Sequence, residues 1–174
     1  MTSDRIIDGT DRKILNILQF NARVANSAIA RKVGLAPSAV HERIRKLEEH
    51  GFIQGYSARV NPKPVGRGLL AFVFVRTEGR EVEAGTAQKL AAIPEVQEVH
   101  NIAGEDCFLI KVRVEDPEGL GRLLREKVSA LPAVSSTRTT IVLETLKESI
   151  AVPIAGVDRN GATPGKPARK RKPA

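Results

Sequence analysis

The chain has 174 residues, a formal charge of +8 and 41% hydrophobic residues. It can bury a core in one ordinary domain or two small ones, which excludes wholesale disorder. One cysteine, Cys107, excludes an internal disulfide framework and a multi-cysteine metal site, and fits a reducing, cytoplasmic setting. MTSDRIID lacks a signal-peptide pattern, and no apolar run approaches the roughly 18 residues of a membrane span. The charge is segregated: +6 over residues 1–68, −3 over 69–146 and +5 over 147–174. Basic ends around an acidic middle point to a polyanion partner for the ends and another task for the middle.

Residues 11–20, DRKILNILQF, set Ile14, Ile17 and Leu18 at helical spacing, with Thr10 or Asp8 able to cap the start. A second helix is expected from about Asn26, a plausible N-cap, to Val33, with Ile29, Ala30 and Val33 inward. Gly34 stops it. Pro37 suits the first turn of a third helix, 38–50, on which Val40, Ile44 and Leu47 face one way. Ser38, Glu42, Arg45 and Glu49 lie opposite. Gly51 ends it.

Two short helices around a glycine turn, preceded by a third, form a helix-turn-helix arrangement. The N-terminal part of its last helix meets base edges in double-stranded DNA. Ser38, Glu42 and Arg45, with Ala39 and His41 beside them, are the candidate base readers. Arg45 can donate two bonds to a guanine, and Glu42 can accept from a cytosine amine or orient Arg45. Arg31, Lys32, Arg43 and Lys46 are the candidate phosphate contacts. FIQGYSARVNP then reads as one or two short strands at Ile53 and Tyr56–Val60, completing a winged helix-turn-helix domain over 1–60. Residues 61–68, NPKPVGRG, form a linker.

The middle region, 69–150, reads strand (69–76), helix (81–93), strand (96–104), strand (107–114), helix (from Asp116-Pro117) and strand (134–143). The first helix stripe is Ala87, Leu90 and Ala91. The second is Leu120, Leu123, Leu124, Val128 and Leu131. This βαββαβ order is the ferredoxin-like pattern, so the fold class is α+β. The apolar first strand, LLAFVFVR, suggests that both its faces are covered, the second by another copy of the chain. Residues 151–174, rich in Pro, Gly and Lys/Arg, are expected to form a disordered basic tail that adds salt-dependent DNA affinity.

The segment IIDGTDRKILNILQFNARVANSAIARKVGLAPSAVHERIRKLEEHGFIQGYSARVNPKPVG resembles the N-terminal half of the Lrp/AsnC family. AGEDCFLIKVRV and VSSTRTTIVLETLK resemble its amino-acid-sensing domain. The resemblance implies a sequence-specific transcriptional regulator of the nucleoid. It implies an amino-acid effector, no other cofactor, and a homodimer assembling to a tetramer or octamer. It places the effector between subunits at Gly104, Glu105, Asp106 and Cys107, with Ser135, Ser136, Thr137 and Thr139 as polar lining. Many members have an aspartate where this chain has Cys107; here the acid is Asp106, and a one-residue shift in a strand reverses the face.

Three rival readings are an enzyme, a stand-alone amino-acid-binding module and a nucleoid-associated protein of broad specificity. His41, His50 and His100 show no metal-ligand spacing, and no Gly-rich phosphate loop follows a strand, so neither catalysis nor a metal site is expected. His100 reads as a structural strand residue.

Overall fold

The structure, a computed structural model, describes residues 7–78 and 83–156. The basic residues of the expected tail lie outside them. Within the described residues the chain forms two compact units, 7–58 with 149–156, and 59–148.

In the first unit, α1 is Gly9–Phe20, α2 Asn26–Val33 and α3 Pro37–Glu49. Asp8 caps α1 through a reciprocal box. Its carboxylate accepts from the Asp11 amide at 2.7 Å, and the Asp8 amide donates to the Asp11 carboxylate at 3.2 Å. For α2 the N-cap is Ala25 and not Asn26, which sits at the first helical position. The Ala25 carbonyl accepts from the Ile29 amide, so the helix starts one residue earlier than side-chain capping suggested. Gly34 closes α2 at φ 72°, in the left-handed region, with its amide on the Ala30 carbonyl. Ile14, Ile29, Ala30, Val40, Ile44 and Leu47 form the core. Each helix contributes part of its stripe, and none could bury it alone.

No strand forms over 53–60. The Phe52 and Ile53 amides both bond the Leu47 carbonyl, folding the chain back under α3. The Tyr56 hydroxyl donates to Glu48 at 2.7 Å. Burial first, then this carboxylate, pushes the phenol up to about 12. No strand of either unit pairs with this segment, so the expected wing does not form.

The second unit holds β1 (Leu69–Thr77), α4 (Glu83–Ala91), β2 (Val96–Asn101), β3 (Phe108–Val114), α5 (Pro117–Leu123) and β4 (Val134–Ile141). The strands pair antiparallel in the order β2-β3-β1-β4, the ferredoxin-like arrangement. Residues 102–107 form a turn and not the end of β2. Ala71, Val73, Val75, Phe108, Ile110, Val112 and Val114 pack with Leu90, Leu120, Leu123 and Val128 in one core. On α4 the inward residues are Thr86, Ala87 and Leu90, while Ala91 is exposed. Beyond α5 the helix relaxes into a π turn, Leu124–Val128, with the Ser129 amide on the Leu124 carbonyl at 2.8 Å. The wider turn carries the stripe from Leu123 to Val128.

The opposite sheet face carries Phe72, Phe74, Leu109, Lys111 and Arg113 by strand alternation, and is only half-buried. On β1 itself this second face is apolar, with Leu70 buried and Phe72 and Phe74 half-buried, and the charges beside it, Lys111 and Arg113, come from β3. Part of its cover comes from the chain itself, since Glu148 lies against Lys111 and Arg113.

Candidate nucleic-acid interface and sensing site

On α3 the buried seam Val40, Ile44 and Leu47 fixes which side faces outward. Ser38, His41, Arg45 and Lys46 are exposed there, and Ala39 and Glu42 are half-buried. Arg45 is held as a fork. Its Nε donates to Glu42 at 3.0 Å, its Nη2 to the other Glu42 oxygen at 2.5 Å, and its Nη1 to Glu49. The Arg45 hydrogen bonds hold the Glu42 carboxyl below the ordinary range, and Glu42 in turn raises the guanidinium. Glu42 thus orients Arg45, one of the two roles its spacing allowed. Arg31 and Lys32 lie exposed in the last turn of α2.

Arg43 stands apart from this set. Its Nη1 donates to Asp8 and to Asp11, each at 2.7 Å, tying α3 to the cap of α1. One of its nitrogens is thereby engaged within the unit, so Arg43 ties two helices together, a role the expected phosphate contact did not include. The sequence carried the signal, an acid pair at the start of α1. Desolvation raises the Asp8 carboxyl, but the Asp11 amide and Arg43 lower it further, leaving it below its ordinary value. A depressed carboxyl stabilises the fold above its unfolded pKa, and that contribution is lost as pH falls through the folded value. Asp8→Ala should therefore cost about 1 kcal/mol at pH 7. The deficit relative to the native chain should shrink below about pH 4, as measured by urea unfolding across pH.

In the second unit, turn 102–107 meets the end of β1 and the start of β4. Gly104 takes φ 136°, a conformation that favours glycine. The Arg76 Nε donates to the Glu105 carbonyl at 3.1 Å, and its Nη2 to the Glu105 carboxylate at 2.9 Å. Arg138 Nη2 donates to Asp106 at 3.0 Å, while its guanidinium carbon lies 4.0 Å from the Phe74 ring centroid. Asp106 also lies 3.9 Å from Arg76. Cys107 Sγ donates to the Thr77 carbonyl at 3.7 Å. The Thr77 hydroxyl is buried without a hydrogen-bond partner among the described residues.

Strand alternation does not govern Asp106 and Cys107, because both precede β3. Asp106 reaches the open face through Arg138. A β-bulge at Arg76/Thr77 leaves Ser135 as the extra residue, its hydroxyl on the Arg76 carbonyl at 3.3 Å. Such a bulge re-aims side chains at a sheet edge. Ser136 pairs with Arg76, so it shares the open face with Arg138. Thr137 and Thr139 pair with Val75 and Val73 and take the helix-side face. The expected polar lining is thus split: Glu105, Asp106, Ser135 and Ser136 converge, while Thr137 and Thr139 turn away. Arg76 and Arg138 belong to the convergent set and were missed, because only strand pairing brings them to the turn. His100 is exposed on β2, pairs with Leu109 across the sheet and lies 3.3 Å from the Glu98 carboxylate.

No group of three or more His, Cys, Asp or Glu side chains that could hold a metal ion occurs among the described residues. Nor is any described helix long and apolar enough to cross a membrane.

A three-helix unit with an exposed, charged third helix, in one chain with a ferredoxin-like unit, defines a helix-turn-helix transcriptional regulator. Comparison with known proteins gives the family. Residues 7–48 match the AsnC-type helix-turn-helix domain and residues 70–152 the Lrp/AsnC ligand binding domain. The leucine-responsive regulatory protein of Salmonella typhimurium is 41% identical over 146 residues, covering 82% of this chain and 88% of that protein. A transcriptional regulator of Neisseria meningitidis, solved as an L-Met complex, superposes with a TM-score of 0.81 at 28% identity. The match covers 85% of this chain and 97% of that one. The feast or famine regulatory protein of M. tuberculosis, complexed with L-methionine, gives a TM-score of 0.79 at 35% identity, with 84% and 99% covered. The chain belongs to the Lrp/AsnC family of transcriptional regulators.

Proposed function

We propose that α3 enters the DNA major groove and reads sequence through Ser38, Ala39, His41, Glu42 and Arg45, with Arg31, Lys32 and Lys46 on phosphates. The observation that carries this reading is the Arg45 fork. Glu42 and Glu49 hold the charged guanidinium on the side of α3 opposite its buried seam, and a guanine edge would take its fork by displacing a carboxylate. The reading makes the protein a cytoplasmic, nucleoid-associated regulator and not an enzyme. Its DNA-reading part is residues 1–60, and the linker, 61–68, leads to a sensing and oligomerising part, 69–150. Two copies joined through that part would present two recognition helices to two half-sites, and dimers would assemble further to a tetramer or octamer.

The effector in this proposal is an apolar amino acid held near turn 104–107. Asp106 would take its ammonium, and Arg138 and Arg76 its carboxylate, so the zwitterion would open the Asp106–Arg138 pair and satisfy both partners. Ser135, Ser136, Gly104, Glu105 and Cys107 border that place, and Thr137 and Thr139 act only through the strand. The methionine complexes of the Neisseria and M. tuberculosis proteins support this class of ligand. A thermal-shift screen with methionine and leucine tests it. A site filled at 100 times Kd stabilises by about 2.7 kcal/mol, and Arg138→Ala should remove most of that gain. An equal shift in native and variant chains would show that Arg138 does not hold the ligand.

A further inference from the structure

Composition reads residues 61–68, NPKPVGRG, as a linker, yet the chain closes on itself there. The Lys63 amide donates to Asn61 Oδ1 at 3.2 Å. The Gly66 amide donates to the Lys63 carbonyl at 3.1 Å, and the Arg67 amide to the Pro62 carbonyl at 2.9 Å. Pro62 and Pro64 each fix one backbone angle. Gly66, at φ 68°, supplies the left-handed residue on which the turn closes. A segment set in this way loses little further freedom when it meets a partner.

The turn carries charge of one sign. From His50 to Thr77 the chain has no acidic residue and four cations, Arg59, Lys63, Arg67 and Arg76. Arg59 lies 3.8 Å from Glu148, and Arg76 is bonded to Glu105. Lys63 and Arg67, both on the turn, are exposed and form no ion pair among the described residues. The nearest acid to act on Arg67 is Glu95. Its carboxyl is held down chiefly by the direct bond from Lys127, and Arg67 adds the smallest contribution, from a distance. Two cations on a preset turn are thus left for an anion from outside the chain.

We propose that Lys63 and Arg67 hold the DNA phosphate backbone outside the groove that α3 reads, so that the 61–68 turn is a second DNA contact. The inference rests on the assignment of α3 to DNA made above. Residues 1–60 bring a duplex to the chain and end where this turn begins. Phosphates are then the anions at highest local density, and each one met by a cation releases a counterion. The two contacts add affinity and fix register without base preference. They also extend DNA binding past the helix-turn-helix to the first residues of the 59–148 unit.

Fluorescence anisotropy of the full chain on specific and scrambled duplexes, titrated across salt, tests this. Lys63→Ala combined with Arg67→Ala should lower affinity for both duplexes by the same factor. It should reduce the log–log salt slope by about two per bound chain, with melting temperature and oligomer unchanged. Lys89→Ala combined with Arg125→Ala is the charge-matched control. It removes two exposed cations, also without ion pairs among the described residues, from the helices of the same unit, and should leave the slope as it is. Gly66→Val keeps both charges but forces a β-branched residue into the left-handed region, and should weaken binding to both duplexes at least about twofold. An unchanged slope in the Lys63 and Arg67 double variant, an equal loss in the control, or native affinity in Gly66→Val would overturn the proposal. Arg45→Ala separates it from the assignment of α3. If specificity falls there while the double variant keeps the native slope, only the role of the turn is wrong. If Arg45→Ala keeps full specificity, the assignment of α3 is wrong.

Discussion

Arg45→Ala should weaken binding to a specific operator by about 1–3 kcal/mol, roughly 5- to 150-fold, and relax base preference at one position. The guanidinium is exposed and its protein partners, Glu42 and Glu49, lie on the same helix. Exposed pairs of this kind contribute little to stability. The thermal midpoint and the oligomer should therefore stay unchanged while specific affinity falls. Arg43→Ala should show the opposite pattern, because Arg43 joins two helices through Asp8 and Asp11. It should lower stability first and DNA affinity only through the weakened fold. Fluorescence anisotropy on specific and scrambled duplexes, beside melting curves, separates the two. Loss of oligomer in Arg45→Ala would contradict the assignment of α3 to DNA.

Phe108→Ala should destabilise the 59–148 unit by about 3–5 kcal/mol, a large share of a typical domain's stability. Phe108 is 1% exposed and among the largest fully buried side chains. It follows turn 104–107 directly and pairs with Val75 and Asn101 on the two neighbouring strands. Removing the ring leaves a cavity beside turn 104–107, so any ligand response proposed for that turn should fail together with stability. The next residue is the control. Leu109 lies on the half-buried opposite face, and Leu109→Ala should cost less than half as much in the same denaturant titration.

Period and punctuation made most of this architecture legible. The seam Val40–Ile44–Leu47 and the stops at Gly34 and Gly51 place α3 from the sequence alone. Alternation along Phe108–Val114 sorted core from open face correctly. Failures arose where a residue's fate depends on a distant partner. The acid pair Asp8 and Asp11 is visible at the start of α1, but only the packing of α1 against α3 brings it to Arg43. Residues 53–60 have strand composition, yet a strand needs a ladder, and the chain supplies none there. The family resemblance groups Thr137 and Thr139 with Ser135 and Ser136, whereas the β-bulge and strand pairing send them to different faces. Arg76 and Arg138 escaped notice for the same reason. The Glu148 cluster joins residues from three separate stretches, and only the folded sheet assembles it.

On the function proposed above, one chain couples an amino acid at turn 104–107 to DNA reading by α3. The most direct measurement is operator affinity of the full-length protein, taken with and without saturating methionine or leucine at fixed salt. The account predicts that at least one of the two shifts affinity fivefold or more, consistent with a coupling free energy of about 1–3 kcal/mol. It also predicts that the shift is absent in Arg138→Ala, whose operator affinity without ligand is unchanged. An amino acid that binds and stabilises the native protein while leaving operator affinity the same would contradict it.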